Sequence, residues 1–488
     1  MFLNSLLYKF GGVDQVELKF SASGFWKVNN SGDEYTGDLF LNEKEGGIVL
    51  YIRIPNKENP IISYLTLPLE ITFITGTTIN GAEITLVNCT RVSTESRVGS
   101  EEVFGYGAKF MLDGVNFNSK KDILFSSMTI SMPGIIQWGD VSNYVRNPWK
   151  KDNNSIIDLK IVEPIEIFSN SSYSVSYYLS FSDPFDLMKE KIVLNQTPHL
   201  DIKSHLLLPI NEYIDIANQI KRLIEIAVGS PLNFDSMIVE NPNIYYEFEK
   251  NEHRHLRPLK VIHAYKNSDE TRLKKERIIT KHEYLFTLSE LKKANFLQWQ
   301  NVADTMEPIL ELYIDSIYNK NLSISRHFLN MVQALETYHA RRIADSLTDY
   351  KKRIEKLLLI RPDVFRDKDR KLLLGDSKKF VVLKNRLADL LIADYKFLFH
   401  TGDFNIDELA QKIADTRNYY THYSHNLEYK ALKDEELITG FHILRNILEF
   451  YLLKELGFEE QFIHERIRER IKPVITSNEI RKVDQERN

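Results

Sequence analysis

The sequence predicts an α+β protein of more than one domain: an N-terminal antiparallel β sandwich or barrel, a mixed connecting region and a C-terminal all-α bundle. Three observations carry this expectation. The chain has 488 residues, too many for one ordinary core. From about residue 15 to 185, short runs rich in Val, Ile, Thr, Phe and Tyr alternate with Gly, Asn, Asp and Ser. After about Ser289 the apolar period becomes 3.6 and stays there. The resulting boundaries are 1–195 for the β-rich domain, 196–300 for the connecting region and 301–488 for the helical domain.

In the first region VELKF, GGIVLYIRI, EITFITG, AEITLVN, ILFSSMTISM, IIDLKIV and SYSVSYYLSF are strands. Turn signals such as Ile79-Asn80-Gly81 and Leu112-Asp113-Gly114 between them favour hairpins, hence antiparallel pairing. In the connecting region the helical NEYIDIANQIKRLIEIAV stops at Gly229-Ser230-Pro231 and precedes a Tyr-rich strand, NIYYEFE. Next come two helical stripes. Leu310, Tyr313, Ile314 and Ile317 make one, and Phe328, Met331, Val332, Leu335 and Tyr338 make the other. A third helix covers VLKNRLADLLIADYKFLF. A fourth starts at Asn405, whose spacing to Glu408 resembles a capping box. In the fifth, Leu437, Phe441, Leu444, Leu448, Tyr451 and Leu452 recur until Gly457, a natural residue to follow a helix end.

Composition narrows the function classes. The chain is 43% hydrophobic and 27% charged, as folded proteins are. A net charge of −5 argues against coating nucleic acid through bulk positive charge, so any RNA contact is local. The single cysteine, Cys89, excludes an intramolecular disulfide framework and fits a reducing, cytoplasmic compartment. No apolar run approaches the roughly 20 residues of a membrane span, and MFLNSLLYKFGG lacks the basic start of a secretion signal. The sequence therefore calls for no membrane, no cofactor and no metal.

The chemistry-bearing residues lie on the fourth helix. Ile406, Leu409 and Ile413 form its buried face, and Arg417 continues the row from Leu409 and Ile413. A guanidinium cannot discharge, so an arginine aimed near a core needs an anion, which in a cleft can be a phosphate. Five residues on comes His422, in RNYYTHYSH. On an unbroken helix that step is about 140° of rotation, so the helix is expected to end, bend or edge a cleft there. RNA supplies its own nucleophile, the 2′-hydroxyl. An enzyme must remove that proton, protonate the leaving 5′-oxygen and stabilise the crowded phosphate, work that suits histidine and arginine.

Arg417-Asn418 with three further residues before His422, in a helical bundle, resembles the Arg-polar-x-x-x-His motif of the HEPN family. The segment RHFLNMVQALETYHARR, residues 326 to 342, resembles the preceding helix in HEPN domains of the ApeA type, which are anti-phage defence proteins. A β-rich domain ahead of such a bundle fits the same order. The resemblance covers roughly 320 to 460. It implies a metal-independent endoribonuclease acting in abortive infection on RNA, transfer RNA among the candidates. It also implies a homodimer with a composite site. From the order of the two parts alone, the β domain is expected to sense a phage-derived trigger. Arg417, Asn418 and His422 are the motif positions, and Glu336 is their polar neighbour.

Each assignment has a plainer alternative. Arg417 and His422 also read as an ion-paired arginine and a helix-terminal histidine, and Glu336 as a solvated glutamate. Arg342, with His339 and Arg341, can receive an RNA backbone or be an exposed helix face. Tyr420 and Tyr423, with Tyr419, can stack on unpaired bases or belong to a core. HRHLR at 253–257 lacks the partners of a metal site. The alternative function is an inactive HEPN-like module for RNA binding or dimerisation, with recognition carried by the β domain.

Overall fold

The computed structural model describes residues 19–29, 32–42, 47–55, 67–97, 101–147, 156–182, 190–246, 255–263, 284–319, 321–343, 345–364, 368–369, 382–391 and 405–470. The chain divides into two compact units. One comprises Met1–Asn218 and Leu232–Arg277, and the other Gln219–Pro231 and Ile278–Asn488.

The first unit is built on β1 (Lys19–Val28), β2 (Glu34–Asn42), β3 (Gly47–Pro55), β4 (Glu70–Thr78), β5 (Glu83–Arg97) and β6 (Glu101–Asp113). Every pairing among them is antiparallel, in the order β6-β3-β2-β1-β4-β5, and β5 pairs back onto β6. The six strands thus close into a barrel, which leaves them no free edge. Of the two architectures left open by the sequence, the barrel is the one formed. Alternation explains it: along β2 and β3, Leu39, Leu41, Ile48, Leu50 and Ile52 point inward and are almost fully buried. Trp26 fills the middle with no exposed surface and donates from Nε1 to the Gly37 carbonyl at 3.1 Å. Gly76 is required beside it, because a Cβ there would stand 2.2 Å from the indole ring.

The far end of β6 carries the fold onward. Phe110–Asp113 pairs with β5 on one side and on the other with β16 (Leu259–His263). From β16 a second antiparallel run continues through β13 (Ser236–Glu240), β7 (Phe125–Ser131), β12 (Gln196–Leu208), β11 (Tyr173–Phe181) and β10 (Ile165–Ser169). Small ribbons pair β8 (Tyr144–Asn147) with β9 (Ile156–Leu159), and β14 (Tyr245–Tyr246) with β15 (His255–Leu256). The stretch read as a connecting region therefore supplies β12, β13 and β16 to this sheet. Its strands satisfy both edges of β7, a pairing across long sequence separations that local pattern does not reveal. Only Tyr245–Tyr246 of NIYYEFE is strand, with 247–249 outside the described residues, and His255–Leu256 is the strand part of HRHLR.

Helix α1 (Ile210–Val228) ends at Gly229, whose φ of +63° suits glycine. The helical bundle consists of α2 (Lys293–Tyr318), α3 (Ile324–Arg342), α4 (Asp345–Ile360), α5 (Leu383–Leu390), α6 (Ile406–His422), α7 (Asp434–Glu455) and a last helix, α8, over 460–470. Helix α3 is its centre and packs on α2, α5, α6 and α7. Its row Phe328, Met331, Val332, Leu335 and Tyr338 is buried, as the 3.6 period requires. The third sequence-derived helix is described as far as Leu391, and the rest of it lies outside the described residues. Gly457, at φ +79°, follows the end of α7. Among the described residues no helix is long and apolar enough to cross a membrane.

Candidate active site

Helix α6 begins at Asn405, whose side chain accepts from the Asp407 backbone N–H at 3.0 Å. This satisfies one of the helix's orphan donors. Leu409, Ala410, Ile413, Ala414 and Thr416 are buried. Arg417 comes next on the Leu409–Ile413 row, but its side chain is about one-third exposed, at 36%. Two neighbours hold its guanidinium: Nη1 donates to Asn418 Oδ1 at 3.1 Å, and Nη2 lies 4.0 Å from Glu336 Oε2 on α3. At that distance and exposure, the ion pair is a loose tether and leaves donors of the guanidinium open to an incoming anion. Asn418 spends its carbonyl oxygen on the arginine, so its NH2 group is a donor still available for substrate.

The sequence left open whether the helix ends, bends or edges a cleft near Tyr419–Thr421. It runs unbroken through His422 and ends one residue later, where Tyr423 adopts a left-handed conformation at φ +50° and donates its N–H to the Tyr419 carbonyl. Helical i to i−4 bonding outweighs the β preference of Tyr419, Tyr420 and Thr421, and Thr421 donates its own hydroxyl to the Arg417 carbonyl at 2.7 Å. The side chain of His422 is exposed and makes no hydrogen bond or ion pair among the described residues. In one chain the two motif residues therefore stand about 140° apart around one helix axis.

The loop after His422 is pinned. Leu432 donates its N–H to Thr416 Oγ1 at 2.9 Å and accepts at its carbonyl from Tyr420 Oη at 3.2 Å. Its side chain sits where a Cβ on Gly440 of α7 would be 2.8 Å from it. The Tyr420 hydroxyl is thereby occupied, and burial, then the neighbouring Tyr419, raises its pKa so that it stays a neutral donor. Tyr420 remains half-buried, whereas Tyr423 is 69% exposed. Tyr419, Tyr420 and Tyr423 pack edge to face at 5.0 to 6.4 Å. Sequence reasoning had no signal for the Thr416 clamp, because its partner lies 16 residues away across a loop.

Of the positive run on α3, His339 is buried, while Arg341 and Arg342 are exposed but held by partners on other helices. Arg342 grips Glu455 of α7 with Nε and Nη2, and Tyr338 donates to the same carboxylate at 2.9 Å. His339 is 1% exposed and bonds Asp389 on α5 at 2.8 Å through Nε2, so it is not part of an exposed face. Arg341 donates to the Thr305 carbonyl at 2.7 Å. The structure thus brings Arg417, Asn418 and Glu336 together, sets His422 at the end of the same helix, and commits Arg342 to a tie between helices. Among the described residues no three His, Cys, Asp or Glu side chains converge as a metal site requires.

A capped helix carrying Arg-Asn-x-x-x-His, packed on a central helix that supplies a glutamate, within a bundle preceded by an antiparallel β unit, defines a HEPN-domain protein. The family model for ApeA N-terminal domain 1 matches residues 21–299, more than half of the chain, and that for the Apea-like HEPN domain matches residues 329–462. The chain therefore belongs to the ApeA family of anti-phage defence proteins and carries an Apea-like HEPN domain. No curated protein and no solved structure matches it.

Proposed function

We propose that this protein is a metal-independent endoribonuclease of abortive-infection defence, cutting RNA at Arg417 and His422. The observation that carries the reading is Arg417 itself. It lies on a row that otherwise enters the core, yet it is held only loosely by Asn418 and Glu336 and keeps donors free for a phosphate. In the reaction the substrate's 2′-oxygen attacks the adjacent phosphorus and the bond to the 5′-oxygen breaks. A histidine takes the 2′-hydroxyl proton and a histidine returns a proton to the leaving 5′-oxygen. Arg417 stabilises the charge that builds on the phosphate, and the Asn418 amide positions it.

Because Arg417 and His422 diverge around α6, one chain cannot aim both at one phosphorus without rearrangement. Two copies related by a twofold axis can, and they bring a histidine for each proton transfer. The partners of this reading are a second copy of the chain, RNA such as transfer RNA, and a phage-derived trigger recognised by the β unit. Tyr423, exposed at the helix end, is placed to stack on an unpaired base.

One observation favours the inactive-module alternative. His422 has no neighbour among the described residues to orient its ring, and catalytic histidines ordinarily have one. Cleavage of total and transfer RNA in excess EDTA decides between the two readings. Under the nuclease reading, the wild type cuts despite the chelator, and Arg417→Ala and His422→Ala, shown to be folded by their melting curves, each lose roughly 100-fold or more. Binding without turnover, unchanged in His422→Ala, would favour the module instead.

A further inference from the structure

At 100° per residue, His422 shares its side of α6 with Asn418, Asp415, Gln411 and Glu408. That side borders a shallow groove of about 450 Å³ whose walls include Lys384 of α5, Gln411, Lys412 and Asp415 of α6, and Tyr429 and Lys430 of the pinned loop. Nothing in the motif requires this groove. We infer that it is a subsite for an unpaired nucleotide of the RNA, one beside the phosphate that is cut. The inference rests on the ribonuclease reading above.

The aromatic face and the placement of the lysines point to a nucleotide. Charge along the wall is balanced, with Lys384, Lys412 and Lys430 against Asp407, Glu408 and Asp415; Asp415 accepts from Gln411 at 3.0 Å and Glu408 from the cap residue Asn405 at 3.3 Å. Asp407 and Glu408 also stand in the first turn, where they complement the helix dipole. Lys412 faces Glu436 at 3.3 Å. Lys384 has no carboxylate partner among the described residues, and Lys430 holds its Nζ 5.6 Å above the Tyr429 ring. Two cations are thus available to a phosphate, beside a flat aromatic face.

Tyr429 is 78% exposed, so a face of its ring is open to an incoming base. The loop that presents it is fixed, with Lys430 and Ala431 both donating to the Leu427 carbonyl at 3.0 Å and Leu432 clamped behind them. A rigid aromatic loses little entropy when a base stacks on it. The groove is of the size that takes a small ligand, and Asp415 stands about 10 Å along the helix from His422, a distance that a neighbouring nucleotide spans. In A-form duplex RNA, base faces are already stacked, so the subsite selects single strands and loops.

The test uses the full-length His422→Ala protein with a short single-stranded oligoribonucleotide of mixed sequence and its duplex, so that binding is read apart from cleavage. Added Tyr429→Ala is expected to weaken single-strand binding roughly tenfold and duplex binding hardly at all, while Tyr429→Trp retains it. Lys430→Ala should lower the salt slope of binding by about one. Unchanged single-strand affinity in the Tyr429→Ala protein overturns the subsite, as does equal loss on duplex. Wild-type cleavage by the His422→Ala protein overturns the catalytic reading instead, and leaves the subsite to stand or fall on the binding result.

Discussion

Thr416 is fully buried on the helix that carries the motif, and its one hydroxyl does two jobs: it donates to the Lys412 carbonyl at 2.7 Å and accepts from Leu432. Valine has the same outline without the hydroxyl, so Thr416→Val leaves the Leu432 N–H buried and unpaired at a cost of about 1–3 kcal/mol. The loop after His422 should loosen, and RNA cleavage should fall in kcat more than in KM, while Thr416→Ser restores both. A Val variant with wild-type kcat would mean that the clamp does not position the site. Cys89 gives a second expectation at this scale. Burial pushes its thiol pKa up to about 12, so the folded protein should resist thiol-reactive reagents and label only on unfolding. Labelling at the rate of a free thiol would refute it. Helical spacing set Arg417 on the row of Leu409 and Ile413, and Asn418 was singled out only by the resemblance to the HEPN motif. The fates of Arg342, His339 and Tyr420 could not be read from the sequence, since each is decided by a partner on another helix or across a loop.

Among the elements, α7 holds an unusual group. Glu449 is fully buried, accepts from Arg445 Nε at 2.8 Å, Arg470 Nη1 at 2.5 Å and the Tyr313 hydroxyl at 2.7 Å, and so ties α7 to α8 and α2. Burial alone would raise the carboxyl, but Arg470, Arg445 and the Tyr313 hydroxyl outweigh it and hold Glu449 down to about 2. The folded value lies below the unfolded one of about 4.3, so this contribution is complete above the unfolded value and is lost as pH falls toward 2. Glu449→Gln leaves two guanidinium groups without their counter-ion and should cost about 3–5 kcal/mol at neutral pH. Urea unfolding followed by the helical dichroism signal should show the gap to wild type narrowing from pH 5 downward. A gap that does not change with pH would mean that the carboxylate charge is not what holds these helices. Elements of this kind were legible wherever burial imposes a period: strands β3 and β11 and the rows of α3 and α7 follow it, whereas β2 was not read as a strand. The sheet order was not legible, because β6 changes partner from β3 to β16 and β7 takes β12 and β13 from far along the chain.

For the molecule as a whole, the order of a β unit and a helical unit was readable from the change of period, whereas closure of the barrel depends on β5 returning to β6. The unbroken helix between Arg417 and His422 then shapes the behaviour of the whole assembly. If the catalytic groups of one phosphate come from two copies, activity belongs to the dimer, and a folded monomer is inert. Specific activity should therefore stay constant at high protein concentration and fall in proportion to concentration below the dimer dissociation constant. Cleavage rates across a dilution series, set beside sedimentation of the same samples, measure this directly. Activity per chain that is flat through the dissociation range would place a complete site within one copy. It would then require α6 to unwind near Tyr419 so that Arg417 and His422 can face one phosphate.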